Sequence, residues 1–241
     1  MFASRPPFNL YRGVFHSFEA AARSAPDRER VGYNLAEAGR MYDARLDRVF
    51  PSDYPVLFWL ARLLRPGLTV FDLGGHVGIA FYAYRKYLEY PERLSWKVCD
   101  VPAVVDTGEA LARERGARGL SFTNRVEDAS GADVFLAAGS LQYIEEPLAA
   151  LLKRMTDKPR HLLINKVPLL EHGAVVTLQG IGVTYCPYHL FDRHAFIAEL
   201  EGLDYDVVDA WDNAEQTCEI PFTEHAVAAY SGLYLRLKTP R

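Results

Sequence analysis

Residues 71–84 read FDLGGHVGIAFYAY, and this stretch decides the fold. The residues before the glycines are apolar enough for a buried strand, and those after Gly78 have the apolar spacing of a helix. Gly74, Gly75 and Gly78 permit backbone conformations and close approaches that a side chain would block. The stretch therefore predicts a strand, a glycine turn and a helix whose first N–H groups are available to a ligand.

Strands and helices alternate along the chain after this turn. The alternation predicts right-handed crossovers and a mostly parallel sheet with helices on both faces. Two further runs close the chain without a helix between them, which predicts an antiparallel hairpin at the sheet edge. The predicted strands are 68–73, 94–100, 120–124, 132–140 and 161–167, the hairpin is 205–212 with 231–238, and a helix over 191–203 precedes it.

The segment before this α/β domain has a different character. Helical spacing of apolar residues occurs at 11–25, 33–47 and 54–67. We therefore predict an N-terminal helical cap over residues 1–66 and a doubly wound, Rossmann-like α/β domain over 67–241. The favoured interpretation is a helical layer that packs on the sheet, and the alternative is a lid whose aromatic side chains also line a ligand pocket.

Composition excludes several classes of function. The 241 residues carry a net charge of −4 with no run of Lys or Arg, so we predict no nucleic-acid partner. Three widely separated cysteines argue against a disulfide framework or a zinc site, and no metal is expected. The chain has no apolar stretch typical of a signal peptide or a membrane span. We expect a cytoplasmic protein that acts on a small molecule, with a homodimer left open.

The glycine turn distinguishes between nucleotide ligands. A nicotinamide-dinucleotide turn requires glycine at 74, 76 and 79, and only Gly74 meets that requirement. An acidic residue at the strand end, followed by glycines two and six residues later, is instead the pattern of Asp72, Gly74 and Gly78. This pattern resembles the S-adenosylmethionine turn of class I methyltransferases, although that family usually has glycine where this chain has His76.

Three other segments carry the same resemblance. Asp100 ends the second strand, Asn124 follows the third, and GSLQYIEEPLAALL (139–152) follows the fourth. The resemblance implies S-adenosylmethionine as the bound cofactor or sole substrate, with the Asp100 carboxylate on the ribose hydroxyls and Asn124 near the adenine amino group. The cofactor-binding residues that it implies are Asp72, Gly74, Gly75, His76, Gly78, Asp100, Val101, Asn124, Ser140 and Leu141.

A narrower resemblance covers nearly the whole chain. LYRGVFHSFEA (10–20), FDLGGHVG (71–78), SLQYIEEP (140–147) and VTLQG with YCPYHLF (176–191) look like a group of bacterial proteins assigned as methyltransferases. Many members of that group are encoded in polysaccharide or natural-product clusters. Some members instead cyclise S-adenosylmethionine, whose amine attacks its own γ-carbon to give azetidine-2-carboxylate and methylthioadenosine.

Three interpretations of the protein's activity remain open. Methyl transfer to an oxygen or nitrogen of a small metabolite is favoured, the cyclase is second, and a non-catalytic S-adenosylmethionine-binding protein is third. The candidate catalytic residues are His76, Tyr143 and Tyr185. His76 is either a proton acceptor or a structural substitute for glycine, and the tyrosines, with Tyr188, suggest an aromatic pocket for a sulfonium. Asn165 and Lys166, at the end of the fifth strand, are candidates for substrate contact.

Overall fold

The computed structural model describes residues 10–32, 45–182 and 184–239. Its helices are α1 (Phe18–Arg23), α2 (Tyr54–Leu63), α3 (Ile79–Tyr84), α4 (Pro102–Glu114), α5 (Leu148–Lys153) and α6 (Arg193–Glu201). Its longer strands are β1 (Leu10–Phe15), β2 (Thr69–Leu73), β3 (Ser95–Cys99), β4 (Leu120–Thr123), β5 (Val134–Ala138), β6 (His161–Val167), β8 (Val175–Gly180), β9 (Tyr185–Asp192), β10 (Tyr205–Asn213) and β13 (Tyr230–Leu237). Two-residue strands are β7 (Leu169–Leu170), β11 (Cys218–Glu219) and β12 (Ala226–Val227).

A seven-stranded sheet forms the centre of the molecule, in the order β10-β13-β6-β5-β2-β3-β4. The five strands from β6 to β4 are parallel, whereas β13 pairs antiparallel with both β6 and β10. The predicted fold class, five parallel strands with a C-terminal antiparallel hairpin, is confirmed. The chain order reverses between β2 and β5, which is where ligands bind in such sheets.

Apolar side chains cover both faces of this sheet. One core cluster joins α2, α3 and α4 to the sheet around Trp96, and the other joins α5 and α6 around Phe135. The predicted C-terminal helix is present as α6, and Asp192 caps it, since the Ala195 N–H donates to Asp192 Oδ1 at 2.8 Å. No helix in the described part of the chain is long and apolar enough to cross a membrane.

The N-terminal segment departs from the predicted helices in one place. Residues 10–15 form strand β1, and the helix expected over 11–25 begins only at Phe18. The backbone of β1 pairs antiparallel with β8, which gives its N–H and C=O groups partners far along the chain. The helix predicted within 54–67 is confirmed as α2, and the one predicted over 33–47 lies mostly outside the described residues.

A second, four-stranded sheet was not predicted from the sequence. Its order is β1-β8-β9-β7, so it joins a strand from within residues 1–66 to three strands from the rest of the chain. The boundary between a cap at 1–66 and a domain at 67–241 stays a prediction. Tyrosine hydroxyls connect this sheet to β13, because Tyr230 Oη lies 2.9 Å from Tyr11 Oη and 2.7 Å from Tyr188 Oη.

Candidate active site

A cavity of about 710 Å³ opens beyond the carboxyl ends of the parallel strands. The glycine turn after β2 and the first residues after β3 form one side of it. The other side is formed by residues after β5, at the end of β6, in the segment before α2 and near the start of β9. Its volume lies within the usual range of small-molecule sites, roughly 300–1,000 Å³.

Packing below the turn requires glycine at two positions. A Cβ atom built on Gly74 would lie 2.3 Å from Cβ of Ser140, and one built on Gly75 would lie 2.4 Å from Oδ2 of Asp72. Gly74 also has a φ of +69°, in the left-handed region that favours glycine. Ser140 fixes the turn from the neighbouring strand, since its hydroxyl donates to the Leu73 carbonyl at 2.6 Å. These glycines are therefore needed by the fold itself, whatever ligand they approach.

His76 occupies the usual glycine position without disrupting the turn. Its φ is +56°, a conformation that histidine adopts more readily than most residues with a side chain. Its backbone N–H donates to Asp100 Oδ2 at 2.9 Å, and its side chain, 7% exposed, lines the cavity. The backbone geometry supports the interpretation of His76 as a structural substitute for glycine.

Asp100 joins the glycine turn to the start of α4. Its carboxylate accepts the His76 N–H through Oδ2 and the Val101 N–H, at 2.8 Å, through Oδ1. Burial raises the pKa of Asp100, and these two backbone bonds act in the opposite direction. A carboxylate can accept about four hydrogen bonds. Asp100 therefore retains acceptor capacity for hydroxyl groups in the cavity that it lines.

Asp72 lies beneath the turn and is 1% exposed. Burial raises the pKa of its carboxyl group to about 7, the Trp96 indole N–H lowers it through a 3.1 Å hydrogen bond, and the charge of Asp100 raises it further. Ionisation of both Asp72 and Asp100 is unfavourable, because the negative charge of each disfavours ionisation of the other carboxyl group. The ionisation of Asp72 therefore depends on the charge of Asp100, which lines the cavity.

Most of the residues predicted to bind the cofactor do meet at this cavity. Those that line it are Asp72, Gly74, Gly75, His76, Asp100, Val101, Asn124 and Ser140. Two others have different surroundings. Gly78 starts α3 with a φ of +91° and faces the Leu120 side chain, and Leu141 packs in the core around α5. A ligand role stays a prediction for all ten residues.

The tyrosines predicted to form an aromatic pocket meet only in part: the rings of Tyr143 and Tyr188 pack edge to face with centroids 5.0 Å apart, but Tyr185 and Tyr188 do not line the cavity. Tyr143 lines the cavity, and its hydroxyl donates to Gln179 Oε1 at 2.8 Å. Tyr185 is half-buried, and its backbone pairs with Arg30 and Gly32. Tyr188 lies in the buried tyrosine network, where burial raises its pKa well above 10. The described aromatic rings at the cavity wall are Tyr84 and Tyr143, with the imidazole of His76.

An ion pair at the far side of the cavity was not predicted from the sequence. Lys166 Nζ lies 2.6 Å from Asp53 Oδ1, and both side chains are 8% exposed. Both residues line the cavity, as do Arg45 and Arg48. Lys166 was a candidate for substrate contact, but Asp53 was not, since an acidic residue just before Pro55 is also typical of a helix start. In the described ranges, no three His, Cys, Asp or Glu side chains form a metal-binding group.

The buried Asp72 gives a prediction for ligand-free protein. Its folded pKa of about 7 exceeds that of an unfolded aspartate, about 4, so the fold loses stability as pH rises between these values. We expect Asp72→Asn to remove that loss. The fall in Tm from about pH 5 to about pH 8 should then be several degrees smaller than in the unmodified chain, by calorimetry.

The matched control for this experiment is Asp106→Asn, on the exposed face of α4. It should leave the pH dependence of Tm unchanged. A Tm that falls equally with pH in the Asp72→Asn variant and in the unmodified chain would contradict the raised pKa of Asp72.

Known proteins share this architecture without close sequence similarity. The sequence matches no protein-family model, and no curated protein matches it. A 1,6-didemethyltoxoflavin-N1-methyltransferase from Burkholderia thailandensis, with its acceptor and S-adenosylhomocysteine bound, gives a TM-score of 0.54 at 18% identity. That similarity covers 85% of this chain and 84% of the methyltransferase.

Two other solved structures extend the comparison. An S-adenosylmethionine-dependent methyltransferase from Clostridium acetobutylicum gives a TM-score of 0.52 at 11% identity, over 84% of this chain and 98% of that one. The [4+2]-cyclase SpnF gives 0.52 at 15% identity, over 87% and 98%. The chain therefore has the α/β fold of class I S-adenosylmethionine-dependent methyltransferases, a fold that also serves a cyclase.

Proposed function

We propose that this protein binds S-adenosylmethionine in the cavity and transfers its methyl group to an oxygen or nitrogen of a small molecule. The observation that carries the proposal is the Asp100 carboxylate, held at the end of β3 by two backbone N–H groups and lining the cavity beside the glycine turn. A methyltransferase of the same fold has S-adenosylhomocysteine bound.

The residues on this side of the cavity fit such a cofactor. The remaining acceptor capacity of Asp100 suits a pair of ribose hydroxyls, and Val101 and Asn124, after β3 and β4, suit the adenine. The backbone of Gly74 and Gly75 leaves room for the methionine part. S-adenosylmethionine, when bound, supplies an electrophilic methyl group on a sulfonium, and the ring faces of Tyr84 and Tyr143 favour a nearby cation.

The rest of the cavity favours methyl transfer over cyclisation. A cyclase would use a chamber that encloses the cofactor alone, with aromatic walls. Here the cavity continues from the turn to the Lys166–Asp53 pair, and Tyr185 and Tyr188 do not line it among the described residues. The longer, charged extension is suited to a second reactant, whose position the protein would fix relative to the methyl group.

The interpretation of the protein as a non-catalytic binding protein rests on His76. In that interpretation, histidine in place of glycine indicates a turn that has lost its original function. The backbone N–H of His76 instead donates to Asp100, and its φ of +56° matches the left-handed conformation that glycine adopts at this turn. The substitution is therefore compatible with a working site.

Calorimetry with S-adenosylhomocysteine tests the binding site. We expect Asp100→Ala to weaken binding by roughly 10–100-fold, because a hydrogen bond to a charged group contributes about 1.5–3 kcal/mol. Asp100→Asn, which keeps one carbonyl oxygen, should bind with intermediate affinity. Asp106→Ala, on the exposed face of α4, is the control. Affinity within about twofold of the unmodified chain in Asp100→Ala would remove the ribose assignment.

Substitutions of His76 test its structural role. His76→Gly should keep S-adenosylhomocysteine affinity within about threefold and leave Tm equal or higher, since glycine adopts a positive φ without strain. His76→Val should lower stability by about 1–3 kcal/mol, because a β-branched residue is strained there. A loss of affinity above tenfold in His76→Gly, with Tm unchanged, would show instead that the imidazole contacts the ligand.

A further inference from the structure

The ion pair between Lys166 and Asp53 is built into the far wall of the cavity. The two charged atoms are 2.6 Å apart, and neither side chain is more than 8% exposed. Lys166 is the penultimate residue of β6, and its stem passes beside Gly139, where a built Cβ atom would lie 3.6 Å from the Lys166 Cβ. The φ of Lys166 is +57°, a conformation that costs energy for a residue with a side chain.

A buried asparagine fixes the position of this pair. The Asn165 amide donates to the Ser52 carbonyl at 2.8 Å, which holds the segment before α2 against the end of β6. Its Oδ1 accepts hydrogen bonds from the Trp211 indole and the Asn213 amide, both at 3.0 Å. Asp53 Oδ2 accepts the Phe50 N–H at 3.0 Å. Hydrogen bonds with protein groups therefore fix Asp53 and the end of β6, which carries Lys166.

The ammonium group has more hydrogen-bonding capacity than this pair uses. Lysine has three N–H donors, and within the described residues Asp53 is the one hydrogen-bond partner of Lys166 Nζ. Arg45 and Arg48 line the same end of the cavity, where Asp53 supplies the one described carboxylate. The charged side chains described at this end of the cavity therefore sum to a net positive charge, and Lys166 Nζ has further N–H donors for a ligand.

The charge of Lys166 depends on its surroundings. Burial lowers its pKa, the Asp53 carboxylate raises it through charge and a hydrogen bond, and the charge of Arg45 lowers it. The net effect is a lowered pKa, and the ion pair with Asp53, at 2.6 Å, opposes that effect by favouring the charged ammonium group. In such a site, with little water, the attraction between an ammonium group and an oxygen anion is stronger than at an exposed surface.

We infer that Lys166, held by Asp53, binds an acceptor through an acidic hydroxyl group, a phenol or an enol, and stabilises it as the oxygen anion; this inference rests on the proposed function. The cavity that the pair lines also has uncharged side chains in its wall, among them Tyr143, Ile144 and Pro187, which suits a planar ring. The hydroxyl proton leaves to water. The acceptor oxygen then bonds to the methyl carbon, and the carbon–sulfur bond breaks with its electron pair left on sulfur.

The probe for this inference is 4-nitrophenol, whose anion absorbs visible light and whose neutral form does not. It is titrated with protein saturated with S-adenosylhomocysteine, at a pH where most of the free probe is neutral. We expect the unmodified chain to increase the fraction of probe anion severalfold. Lys166→Met should abolish that increase and weaken binding of the anion at least tenfold, while S-adenosylhomocysteine affinity stays within about threefold.

Removal of one partner from a buried ion pair can unfold a protein, so a second variant is needed. Lys166→Met/Asp53→Asn removes both charges and keeps an oxygen for the Phe50 N–H. It should fold and show the same loss of probe anion. Lys153→Met, exposed at the end of α5, is the control and should behave as the unmodified chain.

The possible results separate this inference from the proposed function. If the unmodified chain binds S-adenosylhomocysteine but leaves the ionisation of 4-nitrophenol unchanged, the inference is wrong and the proposed function stands. If Lys166→Met loses S-adenosylhomocysteine affinity by more than tenfold, with its fold intact, Lys166 belongs to the cofactor site and the inference is also wrong. If the unmodified chain binds no S-adenosylhomocysteine, the proposed function fails first.

Discussion

The carboxylate of Asp100 connects the two loops that form the cofactor side of the cavity. It accepts one backbone N–H from the glycine turn after β2, at His76, and another from Val101 at the start of α4. Each bond compensates part of the cost of burying a charge, and together they fix the spacing of two adjacent strand ends. Asp72, buried below the same turn, adds a second acidic group whose ionisation depends on the first. The Asp100 carboxylate therefore contributes both to the spacing of the two loops and to the charge on this side of the cavity.

Local sequence patterns predicted the sheet, the glycine turn and most of the residues around it. Parallel strands place their carboxyl ends at one edge, so a motif on β2 and a carboxylate after β3 had to meet. The second sheet was missed because β1 pairs with β8, which lies more than a hundred residues later, and six residues are too few to distinguish strand from helix by period. The same long-range folding brings Asp53 to Lys166, and it directs Tyr188 into the core although Tyr143 reaches the cavity.

The fold leaves the reaction open, since methyltransferases and the cyclase SpnF share it. In the function proposed for this chain, the two halves of the cavity have different tasks. The half formed by the turn, Asp100 and Asn124 binds the cofactor, and the half with Lys166 and Asp53 binds the acceptor. In that proposal the reaction follows from the second half, where Lys166, held by Asp53, favours an oxygen nucleophile as its anion.

Product analysis by mass spectrometry tests the central claim, methyl transfer to a second molecule, most directly. The purified chain is incubated with S-adenosylmethionine alone, and then with S-adenosylmethionine and a mixture of small phenols and enols. We expect no methylthioadenosine above the enzyme-free background in either case, and S-adenosylhomocysteine with an equal amount of methylated acceptor in the second. Methylthioadenosine with azetidine-2-carboxylate, formed from S-adenosylmethionine alone, would contradict that claim.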